Sequence, residues 1–128
     1  MAIDWTERER AIIVQGIANH GLRTGRCAAL ARIVYGIAKP RDPNTRGLHL
    51  RPAPGARWLV PKAPHVPYWG SHTYVETENH AVDAIAGPDG HSAECFLQDH
   101  WEFWKTMRVS EVDVATIDPG IQDAGGEP

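Results

Sequence analysis

Between Pro40 and Pro67 the chain carries seven prolines, at positions 40, 43, 52, 54, 61, 64 and 67, and this density constrains the fold more than any other feature. Each proline locks its own φ and removes a backbone donor, so no long helix can run through the middle of the chain. The segment is expected to form extended, partly rigid loops, with Arg57-Trp58-Leu59-Val60 as the only strand candidate in it. Irregular stretches of this length inside a compact domain often carry function. With Trp58, His65, Tyr68 and Trp69, this one supplies either the wall of a cleft or an aromatic cover over the core. Trp58, Tyr68 and Trp69 are the candidate cleft residues.

Regular structure is therefore pushed to either side. Thr6 with Glu9 three residues later is a capping-box signature, which predicts a helix over residues 7–19 with Ala11, Ile13, Val14 and Ile17 toward the core. Leu30, Ile33, Val34 and Ile37 follow the i, i+3, i+4, i+7 spacing, so a second amphipathic helix runs up to Pro40. After Gly70, residues 71–77 and 80–86 flank Glu78-Asn79, the pattern of a β-hairpin with a two-residue turn. Gly87-Pro88-Asp89-Gly90 is expected to end the second strand. A third helix is predicted over 93–107, where Phe96, Phe103 and Met107, and separately Leu97, Trp101 and Trp104, fall at helical spacings. Residues 118–128 read as a polar, glycine-rich tail. The expected class is α+β: one domain over 1–117, with N-terminal helices, a small antiparallel sheet and a C-terminal helix.

Bulk properties exclude several function classes. A chain of 128 residues supports one core, and a formal charge of −3 without a basic run longer than two residues gives no grip on nucleic acid or an anionic membrane. No apolar stretch approaches the ~20 residues of a membrane span, and Met1 to Glu9 does not read as a signal peptide. The expectation is a cytoplasmic protein, with delivery by a specialised secretion system or as part of a larger toxin as the other setting. His72, His80, His91, Cys95 and His100 show neither a Cys-x-x-Cys pair nor a His-Glu-x-x-His helix, so neither a metal nor a cofactor is expected. Of the two cysteines, Cys95 is assigned to core packing beside Phe96 and Leu97.

Cys27 differs, because it opens the second helix one turn before Leu30. A thiol in a first helical turn feels the partial positive charge of unsatisfied N–H groups, which favours the thiolate, and a nearby imidazole can hold it as an ion pair. In the predicted hairpin register Tyr74 faces Asp83, leaving His72 diagonal to Asp83 on the same sheet face, so the two side chains can meet. A register slip of one residue would exchange Asp83 with His80, which makes His80 the alternative base. Cys27, His72 and Asp83 thus supply a nucleophile, a base and an orienting carboxylate for acyl transfer.

Thr24-Gly25-Arg26-Cys27 opening an amphipathic helix, then His72-Thr73-Tyr74-Val75-Glu76 on one strand and Asp83-Ala84 on the next, resembles the papain-like and transglutaminase-like cysteine enzymes. The likeness covers roughly residues 24–87 and fits best with small bacterial members such as papain-fold toxin domains and compact leader peptidases. It implies a papain-like helix packed on an antiparallel sheet, with Cys27 as nucleophile facing that sheet, His72 as base and Asp83 as orienter. It further implies a protein or peptide substrate attacked at an amide bond, with peptidase chemistry favoured over glutamine deamidation or transglutamination. A binding module built on the same framework is the non-catalytic counterpart. Papain-type peptidases also place a glutamine shortly before the cysteine, whereas this chain has Asn19-His20-Gly21-Leu22-Arg23 there. Asn19 or His20 is left to complete the oxyanion hole beside the Cys27 N–H, and Glu76 is a candidate supporting residue.

Overall fold

A computed structural model describes residues 3–20, 27–63, 66 and 68–116. Helix α1 (Glu7–His20) begins where the capping box places it: the Glu9 N–H donates to Thr6 Oγ1 at 3.1 Å and the Thr6 N–H to Glu9 Oε1 at 2.8 Å. Ile13 is fully buried and Ile17 partly so, but Ala11 and Val14 face outward. Helix α2 (Cys27–Ala38) buries Cys27, Ala28, Leu30, Ala31, Val34 and Ala38, and the chain turns away just before Pro40. Its small residues at 28, 31 and 38 let the backbone lie close to the sheet.

Among the described residues the sheet has five antiparallel strands in the order β4-β3-β2-β1-β5: β1 (Arg46–Arg51), β2 (His72–Thr77), β3 (His80–Asp83), β4 (Gly87–Ser92) and β5 (Arg108–Val112). One face, with Val75 and Val82, packs on α1 and α2 together with Ile3, Trp5 and Val114. The other face, with Leu48, Leu50, Tyr74 and Ala81, is covered by Leu59, Trp69, Phe96 and Trp101. Among the described residues no helix is long and apolar enough to cross a membrane.

The hairpin forms as expected, with Thr77 opposite His80 and Glu76 opposite Ala81. Glu78 and Asn79 both adopt positive φ, 48° and 62°, as a two-residue turn matched to strand twist requires. Four expectations need correction. The strand in the proline-rich stretch is β1, a central strand, whereas Arg57 to Val60 contributes only an isolated bridge between Leu59 and Trp69. Strand β1 has apolar residues only at Leu48 and Leu50 because its other face carries Gly47 and His49, and the space above Gly47 is taken by Val112 and Val114. The second hairpin strand closes at Asp83, ahead of the Gly87-Pro88-Asp89-Gly90 turn expected to end it, and Gly87 to Gly90 instead begins β4, held by Trp5 Nε1 donating to the Pro88 carbonyl at 2.6 Å and the Ile3 N–H to that of Asp89 at 3.2 Å.

The long C-terminal helix is replaced by a short α3 (Phe96–His100), a 3-10 turn (Trp104–Thr106) and then β5. Helical hydrogen bonds are exchanged there for bonds to the proline-rich loop. The Lys62 N–H donates to the His100 carbonyl and the Glu102 N–H to that of Val60, both at 2.9 Å, drawing Trp101 out of the helix and fully into the core. Finally, Cys95 stands exposed at the N-cap position of α3, without a side-chain capping bond, instead of packing in the core. The predicted tail at 118–128 lies outside the described residues.

Candidate active site

His72 opens β2 and Asp83 closes β3, so the hairpin alone sets their spacing. His72 Nε2 and Asp83 Oδ2 are 2.7 Å apart with both side chains buried, and Asp83 Oδ1 accepts the Ala86 N–H at 2.6 Å. Burial works against the charge on Asp83, yet the hydrogen bond and charge of His72, the Ala86 N–H and the more distant His100 hold its carboxyl below the usual carboxylate range. An ionised Asp83 accepts from both partners, which puts the neutral imidazole's proton on Nε2. Nδ1, buried as well, then has no hydrogen-bond partner among the described residues.

Aromatic rings fix the imidazole. Trp69 lies 4.6 Å from it between ring centroids, Trp101 5.6 Å, and Tyr74 stacks at 5.7 Å with 16° between planes. The Tyr74 hydroxyl, buried and close to Glu76 and Asp83, is pushed well above its ordinary value and stays protonated.

Cys27 faces the sheet from the first turn of α2, 8% exposed, with its Sγ accepting the Thr73 N–H at 3.5 Å. The sheet divides the two halves of the site. Thr73 belongs to the α2 face, whereas His72 and Asp83 project to the face occupied by Tyr74 and Trp101. The β2–β3 pairing runs from Thr77–His80 only to Val75–Val82. Past that point a crevice is lined by Cys27, Leu30 and Ala31 on the helix side and by His72, Tyr74 and Asp83, and it is too narrow for a water molecule. The structure thus brings His72 and Asp83 into direct contact and sets both beside Cys27 along one crevice, without a hydrogen bond from the imidazole to the sulfur.

The other candidates scatter. Trp69 is the only cleft candidate on the imidazole. Tyr68 is exposed, and Trp58 lines a separate groove of about 250 Å³ with Pro52, Leu59, Phe103 and Met107. Asn19 is exposed on α1, its Oδ1 accepting from Gln15 at 3.0 Å, and His20 ends that helix half-buried. Glu76 pairs with Arg46 at 2.9 Å near the surface. His80 turns back on the hairpin, its Nδ1 donating to the Glu78 carbonyl at 2.7 Å. Among the described residues no group of three or more His, Cys, Asp or Glu could hold a metal ion.

Sequence reasoning missed one residue altogether. His49, on β1 and 5% exposed, stands opposite Thr73 on the α2 face, with its Nδ1 3.1 Å from Thr73 Oγ1. The available signal was a histidine between two leucines, which marks a buried polar position once β1 is read as a central strand.

No family model, curated protein or solved structure matches this chain.

Proposed function

We propose that this protein is a cysteine-dependent hydrolase or acyltransferase that acts on an amide bond of a protein or peptide on a papain-like framework. One observation carries the reading: His72 is anchored through Nε2 by a buried carboxylate, keeps a buried Nδ1 with no hydrogen-bond partner among the described residues, and lines one crevice together with Cys27. A polar atom left in that condition costs about 1–3 kcal/mol, a cost that a site tolerates when the atom has a task elsewhere in its cycle.

In the proposed cycle Nδ1 of His72 takes the thiol proton and Cys27 Sγ bonds to the carbonyl carbon. The C–N bond then breaks as the imidazolium returns the proton to the leaving amine, and water or a second amine resolves the thioester. Asp83 keeps the proton of the neutral imidazole on Nε2 and stabilises the imidazolium. Substrate entry requires the crevice between α2 and the β2–β3 gap to widen. Deamidation and transglutamination share every step up to the thioester.

A non-catalytic binding module is the second reading, favoured by the narrowness of the crevice and by the lack of a glutamine in the stretch Asn19-His20-Gly21-Leu22-Arg23 shortly before Cys27. The test is acylation of a Cys95→Ser protein by p-nitrophenyl acetate, followed by intact mass. The enzyme reading expects one acetyl group on Cys27, absent in Cys27→Ala and strongly slowed in His72→Ala. Equal acylation with and without Cys27 favours the binding module and refutes the enzyme.

A further inference from the structure

We infer that Thr73 and His49 form a positioning pair that holds the sulfur of Cys27 as a thiolate from the α2 face of the sheet, independently of His72. The inference rests on the proposed role of Cys27 and adds two residues to it. Thr73 contributes through both of its polar ends: its N–H donates to Cys27 Sγ at 3.5 Å, and its Oγ1 is 3.1 Å from Nδ1 of His49. Thr73 is 1% exposed, and its Cα partner across the ladder is His49. The strand beneath the sulfur is therefore pinned by a side-chain bond in addition to the sheet bonds.

A hydrogen bond donated to sulfur stabilises the ionised thiol more than the neutral one, and its strength depends on the direction of the N–H. Fixing the Thr73 side chain fixes the peptide that carries this N–H, because β2 and β3 part just beyond the Val75–Val82 pair and β1 is left as the lateral support of β2 at that level. The ionisable groups on the strands against the start of α2 are His49 on β1, His72 and Tyr74 on β2 and Asp83 on β3. The last three meet the crevice from its far side, bonded or stacked among themselves. His49 is the imidazole that the strand register sets on the thiol's own side.

The test follows thiolate ultraviolet absorbance against pH in the full chain carrying Cys95→Ser, with a Cys27→Ser protein as blank, so that the buried sulfur need not be reached by a reagent. The parent midpoint is expected below the ~8.5 of a free thiol. Thr73→Val, which keeps the shape and the N–H but removes the hydroxyl, and His49→Phe are each expected to raise the midpoint by about one pH unit. His49→Asn, whose amide can donate to or accept from Thr73 Oγ1 where Nδ1 stood, and Thr73→Ser are expected to stay at the parent value. A midpoint unmoved in Thr73→Val overturns the pairing even if His49→Phe fails to fold, and failure of both conservative variants to rescue reduces it to packing. A parent midpoint at the free-thiol value removes the positioning pair and the nucleophile together. A depressed parent midpoint that rises only in His72→Ala leaves the nucleophile in place and refutes the pair alone.

Discussion

Replacing Asp83 by asparagine isolates what the carboxylate does, because the shape is kept and only the donor–acceptor pattern changes. Asp83 accepts two hydrogen bonds, at 2.7 Å from His72 Nε2 and at 2.6 Å from the Ala86 N–H. Asparagine can accept only one of them. The Ala86 N–H cannot change, so the asparagine oxygen turns to it and the amide nitrogen faces His72 as a donor. His72 then satisfies the site by moving its proton from Nε2 to Nδ1, which has no hydrogen-bond partner among the described residues.

Both contacts survive in that arrangement, and only the charge assistance is lost. The difference between hydrogen bonds to a charged and to a neutral partner is about 1–2 kcal/mol, which lowers Tm by roughly 3–8 °C for a chain of this size. Asp83→Ala instead orphans two buried donors at about 1–3 kcal/mol each and leaves a cavity, so about 3–6 kcal/mol is expected. Activity is expected to invert this order of severity. With Nδ1 protonated the base cannot take the thiol proton, and acylation of Cys27 in Asp83→Asn falls by on the order of 10³–10⁴, the scale of a wrong-tautomer defect in hydrolase triads. Nitrogen-15 NMR of the His72 ring reads the tautomer directly, beside chemical denaturation and acylation rates. A ring that keeps its proton on Nε2 in Asp83→Asn, or an acylation rate unchanged from the parent, refutes the reasoning.

Gly47→Ala is expected to cost about 1–3 kcal/mol by urea denaturation, since its methyl meets the Val114 side chain and the Val112 carbonyl, the latter at 2.9 Å; an unchanged midpoint would show that β5 yields freely. Asn79→Gly should stabilise the protein by about 0.5–1 kcal/mol, because glycine adopts the 62° φ of that turn position without strain, and the same denaturation series measures it. His100 has its pKa lowered by burial and by nearby His91, against the pull of Asp83 and Asp99, so the folded state prefers it neutral. The stability it contributes is present above 6.5 and is given up as pH falls from there through the lower folded value; His100→Gln should flatten that limb of a stability-versus-pH curve, and parallel curves would exclude the effect.

The parts of the molecule legible in the chain were those governed by neighbours in sequence. Thr6 and Glu9 cap α1 through bonds three residues apart, Leu30 and Val34 face the core by helical period, and Glu78-Asn79 forces a register that brings His72 to Asp83 eleven positions on. The rest was decided by partners far along the chain. His49 and Gly47 form a central strand because β2 and β5 close on both edges of β1, and neither neighbour is visible from Arg46 to Arg51 alone. Trp101 leaves a well-patterned helix because Pro61 and its flanks offer bonds and a buried slot some forty residues upstream. Local periodicity thus sufficed for α1, α2, the hairpin and its His–Asp pair. Which sheet face meets α2, and so which imidazole shares a side with Cys27, depended on the packing of both layers, because a strand's alternation defines two faces without saying what will cover either one.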